Sequence, residues 1–313
     1  MGWKLYKHDD ASAPVLNGTR GSLIALLDAC LVNGYGSKTA AGWTKPHVDI
    51  NRAAFRMGSG RLRAYFRVDE ANAALASEAR IQSFEDMTGI DAVTNPVALP
   101  GHLITKKSSG ADASAREWWL GADDRTFVLF CHYDASGCVS GTYFGEFLSY
   151  LPNDNYGLAL IGRYWENTNL WMTGVEGIGS QTQGPFSAMN GHYVFRDSTG
   201  IVKSPQFDVL ASFSDMPNCG GNFAFPNPAD GGLILSPLFV RTSDAPGAVL
   251  RGRLRGIWAP AHPYYAITYA PGDTVSGTGA FAGRSFVHVG RVANASNQNG
   301  RMFLETSDTV ERS

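Results

Sequence analysis

The stretch "TFVLFCHYDASGCVSGTYF", residues 126–144, indicates the fold class of this chain. Two runs rich in β-branched and aromatic residues flank the sequence DASG at 134–137, whose residue types are typical of tight turns. Because a short turn between two such runs lets them pair side by side, the stretch is predicted to form an antiparallel hairpin. Its strands are expected at residues 126–133 and 139–144.

Similar runs recur along the chain between turn residues. The sequence contains 36 glycines and 15 prolines, which divide it into short segments. Further strands are predicted at residues 62–68, 157–164, 192–196, 233–241, 249–257 and 284–292. Residues 56–61 are predicted to join two strands in a second hairpin. The fold class is therefore expected to be mainly β, a β-rich α+β fold of short antiparallel strands.

One segment, residues 22–32, predicts an amphipathic helix near the N-terminal end. Its apolar residues have the spacing of one helix face: Leu23, Leu26, Leu27, Cys30 and Leu31. Ser22 is the predicted N-cap, and Asn33-Gly34 is the predicted stop. The glycine-rich turn before the helix lacks the lysine of a phosphate-binding loop, so no nucleotide site is expected there.

Length and charge limit the classes of protein to which the chain can belong. Of 313 residues, 44% are apolar, which excludes disorder throughout, and 26 basic residues nearly balance 28 acidic ones. This balance disfavours a protein that coats nucleic acid or an anionic membrane. No secretory signal or membrane span is evident. Two regions are predicted, 1–105 with the helix and a hairpin and 116–313 rich in β-strands; a single domain is the alternative.

Motifs that carry chemistry are mostly missing. The sequence has no G-x-S-x-G, H-E-x-x-H or C-x-x-C motif, so no enzyme activity, cofactor or metal is expected. The glycine-rich segment 277–283 precedes an alternating β-type run instead of a helix. It is therefore interpreted as a turn between strands rather than a dinucleotide loop.

Three groups of residues leave weaker alternatives open. Cys131, His132, Asp134 and Cys138 have the residue types of a zinc site or a cross-strand disulfide, but neighbouring Cys131 and His132 should point to opposite strand faces. Residues 153–157 offer oxygen atoms for calcium and also read as a turn. A sugar-cleaving carboxylate pair is the third alternative, with these candidates: Asp123, Asp124 and Glu146.

Arginines alternate with other residues in two predicted strands, which would place their guanidinium groups on one face. Aligned like charges repel unless water, carboxylates or another subunit separate them, and arginine is common at interfaces. The subunit-interface candidates are Arg251, Arg253, Arg255, Arg61, Arg63 and Arg67. Solvated strand faces are the alternative. Leu250 and Leu254 are expected to pack inward on the opposite face.

The chain also contains seven tryptophans and twelve tyrosines, which could form a platform for sugar rings. Neighbouring aromatic residues, such as Trp118 and Trp119, should point to opposite faces of a strand. About half of such residues are therefore expected to face outward or an interface.

Several segments resemble a family of tailed-bacteriophage virion proteins, in which similar segments occur in the same order. Near the start these are APVLNGTRGSLIALLDACLVNGYG (13–36), AAGWTKP (40–46) and YFRVDE (65–70). Later ones are EWWLGADDRTFVLF (117–130), FGEFLSY (144–150) and LRGRLRGIWAPAHP (250–263). Together they cover most of the chain, with the strongest match in residues 13–70.

The resemblance implies a structural component of the virion, made in the host bacterial cytoplasm and placed in the tail, neck or baseplate. Its partners would be other copies of itself and other virion proteins, held through symmetric interfaces. The family brings no catalytic residues to carry over. The alternatives are a glycan-binding or glycan-cleaving tail protein, with a host glycan as partner, and a head decoration protein. No membrane and no sequence-specific nucleic acid is expected as a partner.

Overall fold

The computed structural model describes residues 2–97, 101–134, 139–163, 166, 175–176, 190–201, 207–211, 224–244, 247–262, 267–289 and 302–306. Within them, antiparallel strands dominate and one helical segment, starting at Ser22, lies near the N-terminal end. The predicted mainly β class is therefore confirmed. In the part of the chain that the structure describes, no helix has the length and apolar character needed to cross a membrane.

Thirteen of the described strands form the larger sheet. They are β1 (Lys4–Lys7), β2 (Thr44–Asp49), β3 (Arg52–Arg56), β4 (Tyr65–Asp69), β5 (Glu78–Met87), β6 (Val93–Val97), β7 (Leu103–Lys106), β8 (Trp118–Ala122), β9 (Thr126–His132), β10 (Val139–Glu146), β12 (Leu158–Arg163), β13 (Val175–Glu176) and β14 (Asn190–Val194). The order is β1-β8-β9-β10-β12-β7-β5-β4-β3-β2, with β6 beside β5, β13 beside β10 and β14 beside β12. Only the β10–β13 pair is parallel among these strands.

Seven described strands form the smaller sheet. They are β11 (Leu148–Ser149), β15 (Phe207–Ala211), β16 (Leu235–Asp244), β17 (Gly247–Pro260), β18 (Thr274–Ser276), β19 (Ser285–His288) and β20 (Phe303–Glu305). Their order is β15-β16-β17-β20-β19-β18, and β11 pairs with β17.

The turn-based predictions agree with the observed pairing. Strands β9 and β10 pair antiparallel, and Cys131 lies opposite Ser140, although turn residues 135–138 lie outside the described residues. Residues 57–64 join β3 to β4, and residues 277–284 join β18 to β19, each in an antiparallel pair. The predicted strand 62–68 begins later, at Tyr65, because Arg63 adopts a φ of 47° that a strand does not accommodate.

The other predicted strands have shifted bounds. The strand predicted at residues 157–164 corresponds to β12, and the one at 192–196 corresponds to β14. The strands predicted at 233–241, 249–257 and 284–292 correspond to β16, β17 and β19. Tyr164 and residues 290–292 lie outside the described residues. The larger sheet also takes strands from both predicted regions, since β1 pairs with β8 and β7 pairs with β12.

The larger sheet is covered on both faces. One face packs with the helical segment in a cluster that includes Trp118, and the other packs against the smaller sheet in a cluster that includes Trp119. Both tryptophans are buried, so the expectation that one of them faces outward is wrong. The strand still alternates as predicted, but a protein layer occupies each side. A second pair of neighbouring aromatic residues to which the same expectation applies, Tyr264 and Tyr265, lies outside the described residues.

Trp3 lies between the two sheets and connects distant parts of the chain. Its indole N–H donates to the backbone carbonyl of Glu305 at 2.7 Å. A Cβ on Gly121 of β8 would lie 2.5 Å from the indole, and one on Gly256 of β17 would lie 2.2 Å from it. Glycine is therefore required on both sides of the ring, because any larger residue would collide with it.

Candidate functional site

The predicted helix forms, with a change in its second half. Helix α1 (Ser22–Leu27) continues as a π-helical segment (Asp28–Asn33), which is followed by Gly34 at a φ of 80°. The predicted stop is therefore confirmed. Leu23, Leu27 and Leu31 are all buried against the larger sheet, as the periodicity predicts.

The predicted N-cap is wrong. Gly21 occupies the N-cap position, and the hydroxyl of Ser22 donates to the carbonyls of Asn17 and Thr19 at 2.8 and 3.0 Å instead of capping the helix. Gly21 has a φ of 87°, a left-handed conformation that a residue with a side chain adopts at a cost.

A distant carboxylate replaces the missing cap. Glu70, just after β4, accepts backbone N–H groups from Leu23 at 3.0 Å and Ile24 at 3.3 Å, and it also accepts the N–H of Gly21. The ammonium of Lys107 lies 2.9 Å from Glu70, and both side chains are completely buried. The N–H groups that a bound phosphate would need at this turn are therefore already used by Glu70.

The carboxylate of Asp154 is the centre of a second cluster, which we call the Asp154 junction. Arg251 of β17 binds it through two nitrogens, Nε and Nη2, each at 2.9 Å, and the side chains are 0% and 3% exposed. Ser149 of β11 donates its hydroxyl to the same carboxylate at 2.7 Å. Arg61, from the β3–β4 connection, donates to the backbone carbonyl of Asp154 at 2.8 Å. Three separate segments therefore meet at this turn.

The electrostatics of the junction favour an ionised Asp154. Burial acts to raise the pKa of its carboxyl group, but the hydrogen bonds and charge of Arg251 outweigh burial and hold the pKa below its usual range. This geometry is that of a structural ion pair. The carboxylate that a calcium ion would need in residues 153–157 is bound by Arg251, and these residues form a turn.

A neighbouring cluster holds the carboxylates considered for sugar hydrolysis. Asp123 accepts from Arg255 at 2.9 Å, with both side chains buried. Glu146 lies 3.3 Å from Arg125 and also accepts the backbone N–H of Arg61. Asp124 accepts the hydroxyl of Ser59 at 2.9 Å. Each carboxylate is therefore engaged by a side chain or backbone group of its own chain.

The arginines of β17 do not form the simple stripe that the sequence suggests. The β16–β17 register shifts so that Val240 faces Gly252 while Arg241 faces Leu250, which leaves Arg251 as an extra residue. Gly256 has a φ of 70°, outside the strand region. Leu254 is buried as expected, but Leu250 is half exposed, so its expected inward packing is wrong because the bulge changes which residues point inward.

These contacts divide the six interface candidates into groups. Arg251 and Arg255 bind carboxylates of their own chain and are buried, while the Arg253 guanidinium lies 5.6 Å from the Trp258 ring centre. A role in a subunit interface stays a prediction. Because Arg251 and Arg255 are buried, the prediction now concerns the exposed arginines.

The second group of interface candidates, Arg61, Arg63 and Arg67, also has members in different environments. Arg61 and Arg63 are exposed in the β3–β4 connection, outside any strand. Arg67 lies in β4, donates to Gln82 at 3.2 Å and to the carbonyl of Ile90 at 2.6 Å, and packs over a phenylalanine ring. Among the described residues, the Arg63 guanidinium makes no hydrogen bond or ion pair. Arg61 and Arg63 are therefore the members of this set that face solvent.

The sequence reasoning missed the tip of the β2–β3 hairpin. Val48 and Ile50 are strongly exposed there, on either side of Asp49. Asn51 has a φ of 53°, a conformation that asparagine tolerates in a turn better than most residues. The sequence "HVDIN" carries the signal, because two large apolar residues flank an acidic residue directly before a turn-forming asparagine.

The cysteine cluster does not assemble as a metal site in the described residues. The thiol of Cys131 points toward the carbonyl of Lys106 at 3.3 Å, on one face of β9. His132 points to the other face, where its ring nitrogens lie 3.0 Å from Glu117 and 3.1 Å from the Val289 carbonyl. The predicted opposite orientation is confirmed. Over the ranges that the structure describes, no three metal-binding side chains converge, and Cys138 lies outside those ranges.

No family model matches the sequence, and no curated protein shows significant similarity to it.

Proposed function

We propose that this chain is a non-enzymatic structural protein of a tailed-bacteriophage virion, in the tail, neck or baseplate. In this role it contacts other copies of itself and other virion proteins, after synthesis in the cytoplasm of the host bacterium. Its task is geometric: each copy offers surfaces that become buried only in the assembled particle.

The observation that carries this proposal is the place of the resembling segments in the fold. Segments 13–36 and 65–70 contain the helix and Glu70, which caps it. Segments 117–130 and 250–263 contain Asp123 and Arg255, which form a buried ion pair. The segments that carry the resemblance therefore contact one another across long sequence separations in this chain, as expected if they belong to one folded unit.

The state of the carboxylates favours a structural role over sugar hydrolysis. A glycoside hydrolase needs two accessible carboxyl groups, one of which keeps its proton through a raised pKa. Asp123 is buried against Arg255, and Glu146 lies against Arg125. Burial acts to raise the pKa of Asp124, but its hydrogen bonds, including one from Ser59, hold the pKa below its usual range. These groups hold chain segments together.

Mass spectrometry of purified particles tests the proposal. We expect peptides of this chain in density-gradient-purified particles of the phage that encodes it, at an abundance comparable to known tail or neck proteins. A replication enzyme from the same lysate, expected only in the unpurified lysate, is the control for carry-over. A chain found only with that enzyme would contradict the virion assignment.

A second assay tests the enzymatic alternative. The purified chain is incubated with surface polysaccharide of the host, and reducing sugar ends are measured over time. We expect no release above the level of heat-denatured chain. Sustained release would favour a glycan-cleaving tail protein, and Asp123→Asn and Glu146→Gln variants would then show whether these carboxylates are responsible.

A further inference from the structure

We infer that copies of this chain bind head to tail, with the β2–β3 hairpin tip of one copy on the Asp154 junction of the next. This inference deepens the proposed function and rests on it. The hairpin tip is defined by Val48, Asp49 and Ile50, with Asp91 beside it. The receiving surface is defined by Arg61, Arg63, Tyr150 and Leu250.

The hairpin tip combines an apolar centre with an acidic rim. Val48 is 60% exposed and Ile50 is 81% exposed, so two large apolar side chains at one hairpin tip are open to solvent. The side chains of Asp49 and Asp91 are 52% and 66% exposed, whereas Arg52, which pairs with both, is only 13% exposed. The charge presented to solvent is therefore negative.

The receiving surface has the opposite charge around a second apolar patch. Tyr150 donates its backbone N–H to the carbonyl of Arg251, next to Leu250, and both Tyr150 and Leu250 are about half exposed. Arg61 reaches this turn through the carbonyl of Asp154, and Arg63 follows two residues later. The nearby acidic groups, Asp154 of the junction and Glu146 of the neighbouring cluster, are largely buried. The exposed charge is therefore positive.

The two surfaces lie at opposite ends of the same strand. The hairpin tip precedes β3 (Arg52–Arg56), and the connection that carries Arg61 and Arg63 follows it. At about 3.3 Å per residue, the five residues of β3 separate the two surfaces by roughly 15 Å along the strand. One copy can therefore use both surfaces at once.

This arrangement selects a head-to-tail contact over a two-fold one. A two-fold contact at the hairpin tip would bring Asp49 and Asp91 against the same acidic residues of the second copy. A two-fold contact at the receiving surface would oppose arginines with arginines. When the hairpin tip of one copy meets the receiving surface of the next, the apolar patches meet and the charges around them are opposite. Repetition of that contact yields a ring or a filament.

A mixing experiment with two variants tests the inference. Ile50→Asp disrupts the hairpin tip and leaves the receiving surface intact, whereas Leu250→Asp does the reverse. We expect wild-type chain to form oligomers in light scattering after size exclusion, and each variant to raise the dissociation constant at least about thirtyfold. An equimolar mixture should form a heterodimer that does not grow, because only one intact tip and one intact receiving surface meet.

Val15→Asp is the matched control, because Val15 is similarly exposed but belongs to neither surface. It should oligomerise as the wild type does. If Leu250→Asp does not fold, as judged by circular dichroism, Arg63→Glu replaces it, since Arg63 has no side-chain partner among the described residues.

The inference is overturned if wild-type chain stays monomeric at millimolar concentration, if the variants oligomerise normally, or if their mixture remains monomeric. These results are separate from the particle test. A heterodimer from a chain missing in purified particles would support the contact and contradict the virion role. If the chain is present in particles but its mixed variants do not pair, the result would support the virion role and contradict the contact.

Discussion

Arg251 and Arg255 of β17 and Arg61 and Arg63 of the β3–β4 connection all come from alternating arginine patterns in the sequence, but their environments differ. The first two are buried and bind carboxylates from distant parts of the same chain. The last two are exposed. Alternating arginines therefore predict charges that need acceptors, whereas the fold decides which of them are buried against carboxylates of the same chain and which stay at the surface.

The largest expected effect comes from breaking the Asp154–Arg251 pair. Arg251→Met should lower the free energy of unfolding by about 3–5 kcal/mol, because it leaves a buried carboxylate without its cation. Urea unfolding followed by tryptophan fluorescence measures it. The double variant Asp154→Asn/Arg251→Met should recover part of this loss. A loss below 1 kcal/mol in the single variant would contradict the buried pair.

The helix provides an apolar comparison, for which the expected loss in the free energy of unfolding is of similar size. Leu27→Ala should lower the free energy of unfolding by about 2–5 kcal/mol, since Leu27 is fully buried and its removal leaves a cavity. The same urea experiment applies. Unlike the loss in Arg251→Met, this loss should be the same at pH 7 and pH 3, and a strong pH dependence would indicate that the helix depends on charge.

A smaller effect is expected from pH alone. The folded state lowers the pKa of Asp154, so its contribution to stability is complete above the unfolded value of about 3.9 and is lost as pH falls through the folded value. The stability difference between wild type and Arg251→Met should therefore shrink on acidification, starting where the unpaired, buried carboxylate of the variant takes up a proton. Urea unfolding at several pH values measures this trend, and a difference that grows toward low pH would contradict the assignment.

The smallest effect is expected at the exposed arginines. Arg63→Ser should change the free energy of unfolding by less than about 0.5 kcal/mol, because its side chain has no partner among the described residues. Thermal and urea unfolding at low and high salt measure the change. A loss similar to that of Arg251→Met would show that the two pairs of arginines do not differ as the structure indicates.

Local patterns were sufficient for much of the fold. The hairpin of β9 and β10, the turn between β18 and β19, and the buried leucines of the helix all depend on neighbouring residues, and all are observed. Periodicity also placed Cys131 and His132 on opposite faces of β9. These features follow from the period of a strand or helix and from turn chemistry alone.

Contacts between distant residues were beyond local patterns. Glu70 replaces Ser22 as the helix cap although 48 positions separate them. No spacing rule relates a residue after β4 to the first turn of a helix. In the same way, the bulge at Arg251 and the positive φ of Gly256 depend on how β17 fits against β16 and Trp3. Such features are decided by packing, and packing decides which arginines reach solvent.

The position of Trp3 has a consequence for the timing of synthesis. Its slot includes Gly256 on one side and the carbonyl of Glu305, 302 residues away along the chain. At roughly 5–20 residues per second, Trp3 is added to the chain about 15–60 seconds before Glu305. β1 can pair with β8 as soon as residues 118–122 are available, but the indole gains its hydrogen bond only after Glu305 has been added. The nascent chain therefore carries an incompletely buried tryptophan for most of its synthesis, and such transiently exposed apolar surface promotes aggregation of folding intermediates.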